Sequence, residues 1–370
     1  MNSLLELYSC GQSFWYDNIR RLLLLDGTVE ALIREDGLRG MTSNPSIFDK
    51  AIGSADDYDD QIRELAEAGM AGETLYEELA ITDIRVACDL FAELYTSSGG
   101  GDGYVSLEVS PHLANDEERT VSEAKRLAAA VGRPNVMIKV PATAAGVGAL
   151  EQLTAAGINI NVTLMFSTKH YEAVANAYVR GLKAYHEAGG DLSQVASVAS
   201  FFVSRVDTAV DKILAEKDEL VDRSLMGRAA VSNSKLVYQR YKELFQSREF
   251  VALGQVGAKT QRLLWASTST KNPAYPDTIY VDELIGPHTV NTIPPSTIDA
   301  FRDHGSVELT LERDLDGAQQ TLDRLIDLGI DLNGVTEQLQ QEGLAAFSTS
   351  YDHLLDTLEL KLRALLAGSA

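Results

Sequence analysis

Lys139 stands inside the apolar run Val136-Met-Ile-Lys-Val-Pro141. Burying a charged lysine is costly, and desolvation favours the neutral amine. A neutral amine in an apolar pocket attacks carbonyl groups and forms a Schiff base. The same run also suits a lysine that snorkels to a rim or pairs with Glu108 or Asp17. The case for chemistry comes from the company Lys139 keeps, because polar residues interrupt other apolar runs close to their carboxyl-terminal ends. Asp17 closes Ser13-Phe-Trp-Tyr-Asp17, and Asn44 lies in Thr42-Ser-Asn-Pro-Ser-Ile-Phe48. Glu108 sits in Val105-Ser-Leu-Glu-Val109, and Asn161 and Thr163 in Ile160-Asn-Val-Thr-Leu-Met-Phe166. Ser200 lies in Val198-Ala-Ser-Phe-Phe-Val203, with Ser204 and Arg205 just beyond, and the run Gln261 to Ala266 leads into Ser267 and Thr268. The two carboxylates either neutralise Lys139 or move protons during carbonyl chemistry. Asn44 and Ser200 also fit turn-capping roles, and Thr163 alone is an ordinary β-branched strand residue.

These residues need elements to hold them. Strand-length apolar runs cover 13–17, 38–44, 104–109, 136–140, 158–166, 195–203, 261–266 and 288–293. Helix-period segments separate most of them. One has Thr28 as its N-cap; others cover 58–95, 117–131, 146–156, 167–187 and 208–246, and everything after Ser306 is helical in pattern. Alternating strands and helices predict a parallel sheet with helical crossovers, and eight such units suit a closed (β/α)8 TIM barrel with additional helices. The expected organisation is one domain over 1–370, with 306–370 a helical cap of that domain. In a barrel the polar strand ends converge on one face, where barrel enzymes place their chemistry.

Composition narrows the function classes. The chain has 370 residues, two cysteines and a net charge of -22. Cys10 and Cys88 are too few for a disulfide framework, and no Cys/His spacing fits a zinc site. The acidic balance argues against nucleic-acid and anionic-membrane partners, and no apolar run is long enough to span a bilayer. Met1 to Glu6 carries no signal-peptide pattern, so a cytoplasmic, reducing setting is expected. Gly146-Val-Gly148 is a poor fragment of a dinucleotide fingerprint. Trp15, Trp265, His170 and His186 read as packing or surface residues.

The motifs around Asn44, Lys139, Thr163 and Ser200 together resemble the transaldolase family. Gly11-Gln-Ser-Phe-Trp-Tyr-Asp17, Leu263-Leu-Trp-Ala-Ser-Thr-Ser-Thr-Lys-Asn-Pro273 and Leu328-Gly-Ile-Asp-Leu332 resemble its longer bacterial and plant-type subgroup. The likeness implies a metal-free and cofactor-free Schiff-base transfer of a dihydroxyacetone unit between sugar phosphates, in the pentose phosphate pathway, by a monomer or homodimer. It implies Lys139 as nucleophile, Asp17 as general acid/base, and Glu108 with Thr163 as holders of a water. Asn44, Asn161, Ser200 and Ser267 become substrate contacts, Phe202 a pocket wall and Arg205 the phosphate ligand. Shorter relatives carry a second phosphate-binding arginine after the seventh strand. None stands in Trp265–Lys271, where Lys271 is the nearest cation, either a phosphate ligand or a solvated loop lysine. Two rivals remain open: a Schiff-base aldolase that releases dihydroxyacetone, and a silent sugar-phosphate-binding barrel.

Overall fold

A computed structural model describes residues 2–217 and 223–367. Its eight strands are β1 (Gln12–Asp17), β2 (Gly40–Thr42), β3 (Tyr104–Glu108), β4 (Val136–Pro141), β5 (Ile160–Met165), β6 (Ser197–Phe202), β7 (Arg262–Ala266) and β8 (Thr289–Ile293). All pair in parallel, and they close in chain order with β8 against β1. The fold is the expected (β/α)8 barrel. Its strands are buried on both faces, which is why they read as near-continuous apolar runs. Trp15 and Trp265 are fully buried. Gly40 is a glycine because Trp15 fills the barrel beside it: a Cβ there would lie 2.5 Å from the indole.

Several boundaries differ from the sequence reading. The 38–44 run keeps only Gly40–Thr42 in the ladder, and Asn44 instead caps the helix Pro45–Ser54, accepting from the Ile47 amide at 3.0 Å. Proline at the first helical position cannot donate to a ladder and suits a helix start. Thr28 is the first helical residue rather than the cap; Gly27, at φ 87°, precedes it, and the Asp26 side chain accepts from the Thr28 amide. The 58–95 stretch is three helices, Asp59–Glu67, Gly72–Leu90 and Ala92–Ser97, with left-handed Gly69 and Gly72 at the first break. The 208–246 stretch is two, Ser204–Glu216 and Ala229–Phe245, and residues 218–222 between them lie outside the described residues. After Ser306 the chain is irregular until the helix Leu315–Asp327, and then forms one long helix, Leu332–Ala367. Met1 and 368–370 of the expected domain also lie outside the described residues.

That C-terminal helix has 36 residues, about 54 Å at the ordinary rise. Thr336, Leu339, Gly343, Phe347, Tyr351, Leu354 and Leu358 are buried along it, a three-and-four spacing that defines one face. The helix crosses the carboxyl-terminal ends of the strands. It is held there by Gln340 on the carbonyls of Ala142, just past β4, and Leu164 of β5, by Ser350 with Ser46 at 2.7 Å, and by Tyr351 with Glu73 at 2.6 Å. At the opposite end Asp102 closes the barrel, accepting from Arg39 Nε at 2.6 Å, Arg262 Nη2 at 2.9 Å and Ser13 Oγ at 3.0 Å. Among the described residues no helix is long and apolar enough to cross a membrane.

Candidate active site

A cavity of about 540 Å³ opens at the carboxyl-terminal ends of the strands. Strand register builds its floor: Glu108 pairs with Lys139, Lys139 with Asn161, and Pro141 with Thr163. Lys139 is 5% exposed, and its Nζ donates to the Ser43 carbonyl and to Glu108 Oε2, each at 3.2 Å. The centroid of the Phe347 ring lies 5.5 Å from that Nζ. Asp17 faces the same cavity and accepts from Thr42 Oγ1 at 2.8 Å, with Thr292 Oγ1 2.7 Å beyond Thr42.

Desolvation pushes the Asp17 pKa up; the charges of Lys139 and Lys271 and the bond from Thr42 oppose it without cancelling it. Glu108 is raised for the same first reason, with Lys139 opposing and Asp17 adding to the rise. Both carboxyl groups therefore hold a proton more readily than in water. Such groups give and take protons during a reaction. Thr163 lines the cavity, and its buried hydroxyl oxygen makes no hydrogen bond among the described residues.

Asn44, Ser200, Phe202, Arg205, Ser267 and Lys271 also line the cavity. Asn161 does not. It is fully buried one layer down, donating to Ser106 Oγ at 3.0 Å and accepting from Ser200 Oγ at 2.7 Å. Expected as a substrate contact, Asn161 instead lies beneath the lining and holds Ser200. Glu108 stands behind Lys139 rather than in the cavity wall, its side chain 7% exposed.

The cations gather on one side. Arg205 is the second residue of the helix Ser204–Glu216, and Lys271 lies on the loop after β7. Two buried acids of that same helix anchor the loop: Asp211 accepts from Tyr275 Oη at 2.7 Å and Asp207 from Tyr280 Oη at 2.8 Å. One helix thus carries Arg205 and ties down the segment that follows Lys271. Burial lowers the pKa of Arg205, with Glu342 opposing, and lowers that of Lys271, assisted by the charges of Arg205 and Lys50. An anion among these groups relieves both penalties.

Sequence reasoning missed Arg20, Lys50, Thr42, Ser269 and Phe347 in the lining. Ile47, Lys50, Ala51 and Ser54 recur at helical spacing after Asn44, so this face was open to a periodicity argument. Phe347 arrives on the C-terminal helix, and no motif marks it. Among the described residues no group of three or more His, Cys, Asp or Glu side chains is placed to hold a metal.

Comparison with known proteins gives one consistent result. The family model described as transaldolase/fructose-6-phosphate aldolase matches residues 14–358. A transaldolase of Trichodesmium erythraeum is 46% identical over 374 aligned positions, covering 98% of each chain. One from Thiobacillus denitrificans is 49% identical over 355, covering 96% of this chain and 99% of its own. One from Thermobifida fusca is 45% identical over 360, covering 97% and 98%.

Proposed function

The chain belongs to the transaldolase/fructose-6-phosphate aldolase family, and from that membership we propose that it is a transaldolase working through an imine on Lys139. The donor is a ketose phosphate, sedoheptulose 7-phosphate or fructose 6-phosphate. The acceptor is an aldose phosphate, glyceraldehyde 3-phosphate or erythrose 4-phosphate. The step belongs to the pentose phosphate pathway. The observation that carries the reading is Lys139 itself, a 5% exposed amine at the cavity floor, 3.2 Å from Glu108.

The amine attacks the donor's ketone carbon, and the carbinolamine loses water to give the imine. Glu108 and Thr163 hold the water that shuttles protons in this step and in the final hydrolysis. Asp17 takes the proton of the donor hydroxyl as the adjacent carbon–carbon bond breaks, and the aldose leaves. The electrons of that bond pass into the imine, leaving a dihydroxyacetone enamine on Lys139. The acceptor aldehyde then accepts this carbon nucleophile, Asp17 returns the proton to the new hydroxyl, and hydrolysis frees the product. Asn44 and Ser200 bind substrate hydroxyls, Phe202 and Ser267 shape the walls, and Arg205 with Lys271 holds the phosphate. Likeness to full-length relatives named transaldolase favours transfer over simple aldol cleavage. A coupled assay of fructose 6-phosphate with and without erythrose 4-phosphate separates the two. Transfer requires the acceptor, whereas turnover at the same rate without it makes the protein an aldolase.

A further inference from the structure

The carboxyl-terminal end of β5 is irregular. Its pairing with β6 slips between Val162 and Met165, and Leu164 lies in the left-handed region at φ 62°. Conformations of this kind persist where the surroundings over-determine them. Thr163 lies within the irregularity, just before Leu164, and its buried hydroxyl lines the cavity. The Thr163 carbonyl accepts from the Ala142 amide at 2.8 Å, which ties the end of β5 to the end of β4. The carbonyls of Leu164 and Ala142 are then left pointing at the barrel mouth. Both accept from one group, Gln340 Nε2, each at 3.0 Å.

Gln340 reaches them from the C-terminal helix. Gly343, one turn further, allows the close approach: a Cβ there would come within 2.7 Å of the Leu164 side chain. The ring centroid of Phe347, one more turn on, stands 5.5 Å from Lys139 Nζ. A single helix face therefore touches the strand ends that carry Lys139 and Thr163.

We propose that Gln340 is a positioning residue for the reaction: by satisfying both carbonyls it holds the β5 irregularity in the form that presents the Thr163 hydroxyl beside Lys139. The inference rests on the reading that Thr163 serves the water-dependent steps of imine formation. A buried carbonyl without a donor is costly, so a chain lacking this amide relaxes the irregularity and moves Thr163 with it.

The test follows single-turnover imine formation with fructose 6-phosphate, alongside KM and thermal midpoint, in Gln340→Met, Gln340→Glu and Thr163→Ala. Methionine keeps the length and removes the donor; glutamate keeps the shape and offers an acceptor to two acceptors. Imine formation should slow roughly tenfold in Gln340→Met and further in Gln340→Glu, with KM within about twofold of the parent. In a Thr163→Ala background Gln340→Met should add nothing. Tyr351→Phe, which removes a different anchor of the same helix, should lower the thermal midpoint and leave imine formation unchanged. A full rate in both folded Gln340 variants overturns the inference, as does equal slowing in Tyr351→Phe or additive loss in the Thr163→Ala background. A full rate in Thr163→Ala alone overturns the reading of Thr163, and the inference falls with it.

Discussion

Each end of the barrel encloses a carboxylate beside cations, and the two ends treat that charge in opposite ways. Under the amino-terminal ends, burial works against the ionised Asp102, but Arg262 and Arg39 outweigh it and hold its carboxyl below the usual range. Three donors satisfy that carboxylate, and Arg262 also donates to Ser13 at 2.9 Å. Above the carboxyl-terminal ends, desolvation wins at Asp17 and Glu108, and both rise. The difference lies in the partners. Two guanidiniums with fixed forks pin one protonation state. Lys139 and Lys271 oppose desolvation at Asp17, and Lys139 opposes it at Glu108, without outweighing it at either. The amino-terminal end is built for permanence, the other for exchange, and barrels place stability and chemistry at these ends respectively.

The largest expected effect is at the exchanging end. Lys139→Ala should lose about a thousandfold or more in kcat, as removal of a nucleophile does, while staying folded. Borohydride with fructose 6-phosphate should inactivate the parent and add a three-carbon unit to Lys139 by peptide mass mapping. A label on another lysine breaks the contrast. Next come the carboxylates, each worth about a hundredfold or more as proton-transfer groups. Asp17→Ala should form the covalent adduct and fail to release aldose, whereas Glu108→Gln should slow imine formation itself. The same step slowed in both variants would mean the two acids share one role.

At the permanent end the loss should appear in stability instead. Asp102→Ala strands Arg39 and Arg262 without their counter-charge and should cost about 3–5 kcal/mol in denaturant unfolding, with KM of the folded fraction unchanged. A smaller effect is expected at Lys271: Lys271→Ala should raise KM for fructose 6-phosphate about tenfold, as loss of a charged contact of about 1.5–3 kcal/mol implies. Dihydroxyacetone as donor should be unaffected, and equal losses on both donors would take Lys271 out of the phosphate site.

The smallest effect is the sharpest comparison, because its sign differs between the ends. Asp102 is lowered on folding, so its contribution is present above the ordinary aspartate value and is lost as pH falls through its folded value. Asp17 is raised, so the native state keeps a proton that the unfolded chain releases, and stability declines as pH climbs from the ordinary aspartate value upward. Unfolding curves across pH should therefore show Asp102→Asn losing its deficit toward acid, and Asp17→Asn gaining on the parent toward neutrality. Parallel curves would erase the distinction.

Much of the exchanging end is legible in the sequence. Lys139, Asp17, Glu108 and Thr163 each break an apolar run, and such a break in a doubly buried strand is a local signal. The eight strand-length runs were legible for the same reason. Depth was not. Asn161 and Thr163 share one face of β5 and read alike, yet two residues of strand rise, about 6.6 Å, put one beneath the cavity and the other in its wall. The permanent end was invisible: Ser13, Arg39, Asp102 and Arg262 sit in four separate segments, and nothing in the spacing joins them.

The sequence by itself determined which segments carry strands and which residue types stand near their ends, because alternation, proline and glycine act within a few residues of chain. Only the tertiary structure decided which distant groups complete the site. Gln340 meets the Ala142 carbonyl across 198 residues, and Phe347 reaches Lys139 from the same helix. The path of that helix across the barrel mouth is set by packing along its whole buried face, and packing is a property of surfaces that meet, which no local pattern in either segment encodes.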